Sequence, residues 1–327
     1  MYRIYLLPLA VAIISGTTNT ISARSPGPIS STRSPTPRST AKTSIIGGDI
    51  ATPGSTPWLV SIRDAQYHPP PHFCGGTILN HYWILTTASC VTSSSINLLV
   101  VLGEYNQDED EGYEKKRTPL LSLIHPNYTY FNMHAYNVAL LLVSYFSYGE
   151  RIQPAPLLPN PGDRGMWQYR DESEEELTRK KFPHRFKDEK WDLEGVEGLI
   201  AGWGRMNSDE YSSVVLEANL TILSNDACQS AYPDEDMESL MCATDIVRGG
   251  VGACMGDSGG GLISKDGYVL GIYSYAEPCA SDEFPGIYVN MSVIQQWMCP
   301  IIRHHQPERL FRENIDFRIH SSASSLD

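Results

Sequence analysis

An all-β fold, either a sandwich or a barrel, is what the chain predicts, on three observations. Short β-branched and aromatic runs recur from Ile45 onward: Trp58–Ile62, Tyr82–Thr86, Asn97–Leu102, Val138–Val143 and Tyr268–Tyr273. Gly, Pro and Asn punctuate these runs, as they do where strands turn back on themselves. Hydrophobic residues make up 41% of the chain and aromatics 10%, which is enough to bury a core. With 327 residues there is room for one large domain of this class, or two small ones, plus tails.

Taken in order, the chain opens on Met1-Tyr2-Arg3, then an apolar run from Ile4 to Ile14, then Ser15-Gly16-Thr17. A basic residue, a short apolar stretch and small residues predict a secretory signal peptide over 1–16. The run falls short of the roughly 20 residues that span a bilayer. Residues 17–44 are rich in Ser, Thr, Pro and Arg without any hydrophobic period, which predicts a linker or pro-segment. The β-patterned domain covers 45–302. Inside it, 163–197 alternates acidic and basic blocks with few apolar residues, and reads as a solvated insertion or a partner-binding arm. Val293 to Ile302 carries apolar residues at helical spacing and predicts a short terminal helix. The tail, 303–327, is polar and lacks the hydrophobic end of a lipid-anchor signal.

Charge and cysteines narrow the function classes. With 38 Asp+Glu against 25 Lys+Arg, the formal net charge is −13, so a nucleic-acid partner is excluded. A secreted chain turns thiols into disulfides, and none of the seven cysteines has the C-x-x-C spacing of a zinc or redox site. Seven is odd, so one thiol is left over. Sequons at Asn127, Asn219 and Asn290 fit the same compartment.

Gly256-Asp257-Ser258-Gly259-Gly260, after Ala253-Cys254-Met255, resembles the nucleophile loop of the chymotrypsin/trypsin family of serine proteases. Glycines let this backbone turn tightly, so that the N–H groups of Gly256 and Ser258 can converge on a developing oxyanion. Ile45-Ile46-Gly47-Gly48, Phe73-Cys74-Gly75-Gly76, Ala201-Gly202-Trp203-Gly204, Gly271-Ile272-Tyr273-Ser274-Tyr275 and Pro285-Gly286-Ile287-Tyr288 agree in order. The resemblance covers Ile45 to Ile302 without the charged insertion, and implies two six-stranded Greek-key β-barrels with a short C-terminal helix.

The resemblance also locates departures. The family's histidine lies in Thr-Ala-Ala-His-Cys, where this chain has Thr86-Thr87-Ala88-Ser89-Cys90. Its aspartate opens Asp-Ile-Ala-Leu-Leu, where this chain has Asn137-Val138-Ala139-Leu140-Leu141. Ser258 keeps the nucleophile position, while Ser89 and Asn137 replace the base and its partner. His134, three residues before Asn137, is expected to line the cleft. These departures predict a protease homologue that is not an enzyme and works by binding another protein, whether protease, inhibitor or surface ligand. The alternative is a weakly active serine endopeptidase using Ser258 with a non-standard base.

By the same resemblance, Asp257 awaits a freed Ile45 amine, but Ser44 stands where family zymogens carry Arg or Lys. Gly252 lies at the base of the substrate pocket, with Ala276 and Gly286 on its walls. The disulfides implied are Cys74–Cys90, Cys228–Cys242 and Cys254–Cys279; another family bridge would join the positions of Gly198 and Ser264, and neither is cysteine. Cys299 is left over, either as a buried thiol or as a link to a partner chain. Glu104, Asn106, Glu109, Glu111 and Glu114 resemble the family's calcium loop, so the stretch is either a structural Ca²⁺ site or an acidic surface loop with no ion. No cofactor is expected for catalysis.

Overall fold

The computed structural model describes residues 45–92, 97–159, 186–187, 190–206, 210–281 and 283–304. The signal peptide, the 17–44 segment, most of the charged stretch and the tail beyond 304 lie outside the described residues.

Two antiparallel sheets build the domain. The first comprises β2 (Leu59–Asp64), β3 (His72–Ile78), β4 (Trp83–Thr86), β5 (Leu98–Leu102), β6 (Lys115–Arg117), β7 (Leu121–Ile124) and β8 (Ala139–Leu142), in the order β6-β5-β2-β3-β4-β8-β7. The second joins β11 (Glu197–Gly202), β12 (Leu216–Ile222), β13 (Leu240–Thr244), β14 (Gly261–Ser264), β15 (Val269–Tyr275) and β16 (Gly286–Asn290). Its order is β12-β11-β14-β15-β16-β13, and a further β12–β13 pairing closes it into a six-stranded barrel, with β1 (Asp49–Ile50) added beside β12. The first sheet has no such closing pair among the described residues, so it curls as a half-barrel. A small ladder joins β9 (Phe186–Lys187) to β10 (Lys190–Trp191).

The period-2 rule explains how the sheets meet. Along β4 and β8, Ile84 and Leu141 face the interior of the first sheet with Val60, Ile62, Val100 and Phe146. Their neighbours Trp83, Leu85, Leu140 and Leu142 point the other way, against Ile263, Ile272 and Val289 of the second sheet. Successive strand side chains alternate faces, so strands buried on both sides read as continuous apolar runs (Trp83-Ile84-Leu85 and Leu140-Leu141-Leu142). The closed barrel has its own filling, including Ile200, Leu220, Leu262, Tyr273 and Tyr288.

The charged stretch enters the fold before its end, since Trp191, Leu193 and Val196 are buried in that filling. Gly198 and Ser264 oppose each other across β11 and β14. A Cβ on Gly198 would lie 2.7 Å from the Leu262 side chain, so leucine fills the space where the family's extra bridge would run. The three expected disulfides are present, all within the chain. Cys299 is buried, 5% exposed, in the core that joins the sheets.

Two helices complete the fold. Ser224 caps α1 (Asn225–Ala231), its Oγ accepting from the Ala227 N–H at 3.2 Å. The terminal helix α2 (Met291–His304) starts two residues earlier than its apolar spacing predicts. The reason is Asn290, whose Oδ1 accepts from the Ser292 N–H at 2.9 Å and ends β16 by capping the helix. Among the described residues no helix is long and apolar enough to cross a membrane.

Candidate active site

The nucleophile loop is held by backbone bonds to both sheets. Gly75 N–H donates to Ser258 O at 2.8 Å, and Gly259 N–H donates to Tyr273 O at 2.8 Å. Gly256 and Gly259 have φ of +97° and +91°, in the region where a side chain is strained. A Cβ on Gly259 would also lie 2.3 Å from Thr86 Oγ1. Within the described residues, the N–H groups of Gly256 and Ser258 have no protein acceptor, which leaves both available to an oxyanion.

Ser258 Oγ is half-buried and donates to Ser274 O at 3.3 Å. Across the cleft, Ser89 N–H donates to Asn137 Oδ1 at 2.8 Å. The Asn137 amide donates in turn to Ser274 Oγ at 2.9 Å and to Ser89 Oγ at 3.2 Å. Ser89 Oγ donates to Thr87 Oγ1 at 3.1 Å. The expected positions 89, 137 and 258 therefore converge, joined by Ser274. Asn137 is 2% exposed, and both of its polar atoms are satisfied. Neither a hydroxyl nor an amide takes up a proton near neutral pH, so this wall orients groups rather than accepting protons.

Asp257 is 1% exposed, with Oδ1 accepting from Gly204 N–H at 2.7 Å and Oδ2 from Cys254 N–H at 3.0 Å. Burial pushes its carboxyl up to about 6 against the pull of those two bonds. Ile45 is fully buried at φ +42°, a strained value for a β-branched residue, and the chain runs on through Ser44. No ion pair joins Ile45 to Asp257 among the described residues.

His72 was not singled out by its sequence neighbours, because its partner lies 184 residues away. Its Nε2 donates to Gly256 O at 3.0 Å, which fixes the tautomer so that Nδ1 accepts from Ser61 Oγ at 2.9 Å. Burial holds this imidazole far below its ordinary range, at about 3. His134 stands on the wall near Ser274: its ring stacks on Tyr275 at 4.3 Å, and its Nδ1 bonds Glu235 Oε1 at 2.7 Å. Tyr275 also bonds Glu277, and burial with that bond pushes its hydroxyl up to about 12.

Gly252 and Ala276 lie two and three residues before the two cysteines of the Cys254–Cys279 bridge, and Gly286 opens β16, opposite Ala243. Gly252 N–H donates to Ile46 O at 3.1 Å, Ala276 is buried, and a Cβ on Gly286 would lie 3.2 Å from Tyr288. Asn127 and Asn219 are exposed, whereas Asn290 is half-buried in its capping role.

The acidic loop departs from a cation cage. The Arg63 guanidinium bonds Glu104, and Arg151 pairs with Glu111 at 2.9 Å. Glu111 also accepts from Asn106 N–H at 3.2 Å, and Glu114 Oε1 from Glu111 N–H at 2.8 Å. Glu109 spends its backbone N–H on the Asn106 carbonyl at 3.2 Å, one of the oxygens expected to ligate. Among the described residues no three His, Cys, Asp or Glu side chains are arranged to hold a metal.

A sequence model of the family described as Trypsin matches residues 45–170 and 172–298. The chain is 30% identical over 256 residues to Trypsin II-P29 of Gallus gallus, covering 78% of this chain and 87% of that protein. It is 28% identical to Trypsin of Sus scrofa, covering 78% of this chain and 94% of the relative. It is also 28% identical to the Clotting factor G beta subunit of Tachypleus tridentatus, covering 78% and 79%. These similarities overturn the expectation that the chain is not an enzyme: several of the proteins it resembles along most of its length bear the name trypsin.

Proposed function

Because this chain belongs to the trypsin family of serine proteases, we propose that it is a secreted member whose cleft binds a polypeptide and whose Ser258 attacks it without an imidazole at position 89. The observation that carries this reading is the hydrogen-bonded set Ser89–Asn137–Ser274–Ser258 beside two available oxyanion donors. The hydroxyl proton of Ser258 then passes to a bound water or to the substrate itself rather than to a histidine.

The magnitudes set the balance between holding and cutting. Loss of the base lowers turnover by about 10⁶ in a related triad, roughly 8 kcal/mol of barrier. Oxyanion donors and binding together still give about 10³–10⁴ over water. Most bound polypeptides are therefore released uncut, which suits a regulatory role toward a protease, an inhibitor or a surface ligand. Secretion is supported by the three disulfides and the apolar N-terminal run, and glycosylation by the exposure of Asn127 and Asn219. The burial of Cys299 favours an internal thiol over a link to a partner chain.

The test is labelling by a fluorophosphonate probe together with hydrolysis of a peptide panel, each compared with Ser258→Ala. Slow labelling and slow hydrolysis are expected in the wild type and neither in the variant. Equal hydrolysis by both proteins would remove Ser258 from the mechanism.

A further inference from the structure

We propose that Arg63 is the resident cation of the 104–114 loop, with Arg151 as its second counter-charge, so that this loop is closed by guanidinium groups rather than by calcium. The argument starts from burial. The Glu104 and Arg63 side chains are 4% and 11% exposed, so their pairing occurs away from water and in a fixed geometry. A charge buried this far needs a partner, and the chain supplies one 41 residues upstream, on β2.

Arg63 is held from both ends. One terminal nitrogen bonds Glu104, while Nε donates to Ser61 Oγ at 3.1 Å. Ser61 Oγ bonds His72, and His72 bonds the carbonyl of Gly256. The guanidinium is thus pinned to a polar chain that runs to the nucleophile loop, which an exchangeable ion would not be. Arg151 is fixed in a similar way: it pairs with Glu111 and lies 4.1 Å over the Tyr113 ring.

The loop still carries surplus negative charge. Glu114 Oε2 is buried without a hydrogen-bond partner, and Glu114 and Glu111 both act electrostatically on Glu104. Removing Arg63 and Arg151 should therefore leave these carboxylates without their counter-charges and open to a divalent ion.

The experiment measures melting temperature at pH 8 in millimolar Ca²⁺ and in excess chelator. Wild-type protein is expected to melt at the same temperature in both. The Arg63→Met/Arg151→Met variant should melt several degrees lower in chelator and recover most of that loss in Ca²⁺. Arg63→Lys keeps the charge and is expected to stay indifferent to calcium; it decides the matter if the double variant does not fold. A wild type stabilised by calcium, a calcium-dependent Arg63→Lys, or a folded double variant indifferent to calcium and chelator would each overturn the proposal.

Discussion

The two walls of the cleft are built on different principles. On the Ser258 side the backbone does the positioning: glycines at positive φ, and carbonyls and N–H groups tied to both sheets. On the Ser89 side the side chains do it, through an amide and hydroxyls that satisfy one another. A backbone-built wall constrains residue type strongly, because Gly259 has Thr86 within 2.3 Å of its missing Cβ. A side-chain wall can exchange one hydrogen-bonding set for another while the strands beneath it stay in place. The difference teaches that the nucleophile loop and the base position can diverge separately, the first fixed by packing and the second by chemistry alone.

The largest effect should come from changing the chemistry of the second wall. Ser89→His with Asn137→Asp introduces a base and an orienting carboxylate where the fold brings positions 89, 137 and 258 together. Adding Ser44→Arg and cutting before Ile45 supplies an amine for Asp257. Peptide hydrolysis by the cut triple variant should exceed wild type by at least about 10³-fold, within the about 10⁶ that a base contributes. Its rate should rise with pH through an apparent value near the ordinary histidine range. An increase below tenfold in correctly cut protein would mean that the first wall is also out of position.

Much of this site was legible in the chain, because the strongest signals came from backbone-built segments. Gly256-Asp257-Ser258-Gly259-Gly260 is short, and its spacing is set by the turn itself. The strand runs were legible for the same local reason, whereas the three disulfide pairings came only with the family resemblance. Ser274, His72, Ser61 and Arg63 stayed hidden, because each acquires its meaning from a partner far along the chain. The acidic loop resembled a cation site because six of its eleven residues, 104–114, are Asp or Glu; the arginines that pair with Glu104 and Glu111 lie on β2 and beyond β8, far from it in the chain. That the first sheet has no closing pair among the described residues also escaped notice, since such a pair is a matter of strand register rather than of residue type.

The next effect probes the first wall through its buried charge. The Asp257 carboxyl is raised from 3.8 to about 6, so its neutral form is the one the fold favours. This contribution is full below pH 3.8 and is lost as pH rises through 6, a change of about 3 kcal/mol. His72 works the other way: lowered from 6.5 to about 3, its contribution is full above pH 6.5 and is lost as pH falls toward 3. Urea unfolding from pH 4 to 7 should show the two slopes partly cancelling in wild type. Asp257→Asn should leave stability rising with pH across that window. A wild type and variant with the same pH dependence would mean that the Asp257 carboxyl titrates alike folded and unfolded. A wild type rising more steeply than the variant would mean that it has a cationic partner in the folded protein.

The smallest effect separates the two residues of the second wall. Asn137 is buried and fills both of its hydrogen-bonding roles, so Asn137→Ala leaves the Ser89 N–H without its acceptor and opens a small cavity. A cost of about 2 kcal/mol is expected. The Ser89 side chain faces solvent, and its removal leaves the Asn137 amide still donating to Ser274. Ser89→Ala should therefore cost only about 0.5 kcal/mol, a shift in melting temperature of roughly 1–2 °C. The pair of melting curves checks the division of labour: Asn137 as the structural centre of the wall, and Ser89 as a replaceable group on its surface. Should Ser89→Ala prove the costlier change, the wall would be organised around its hydroxyl instead, and a histidine placed there would disturb the fold it is meant to complete.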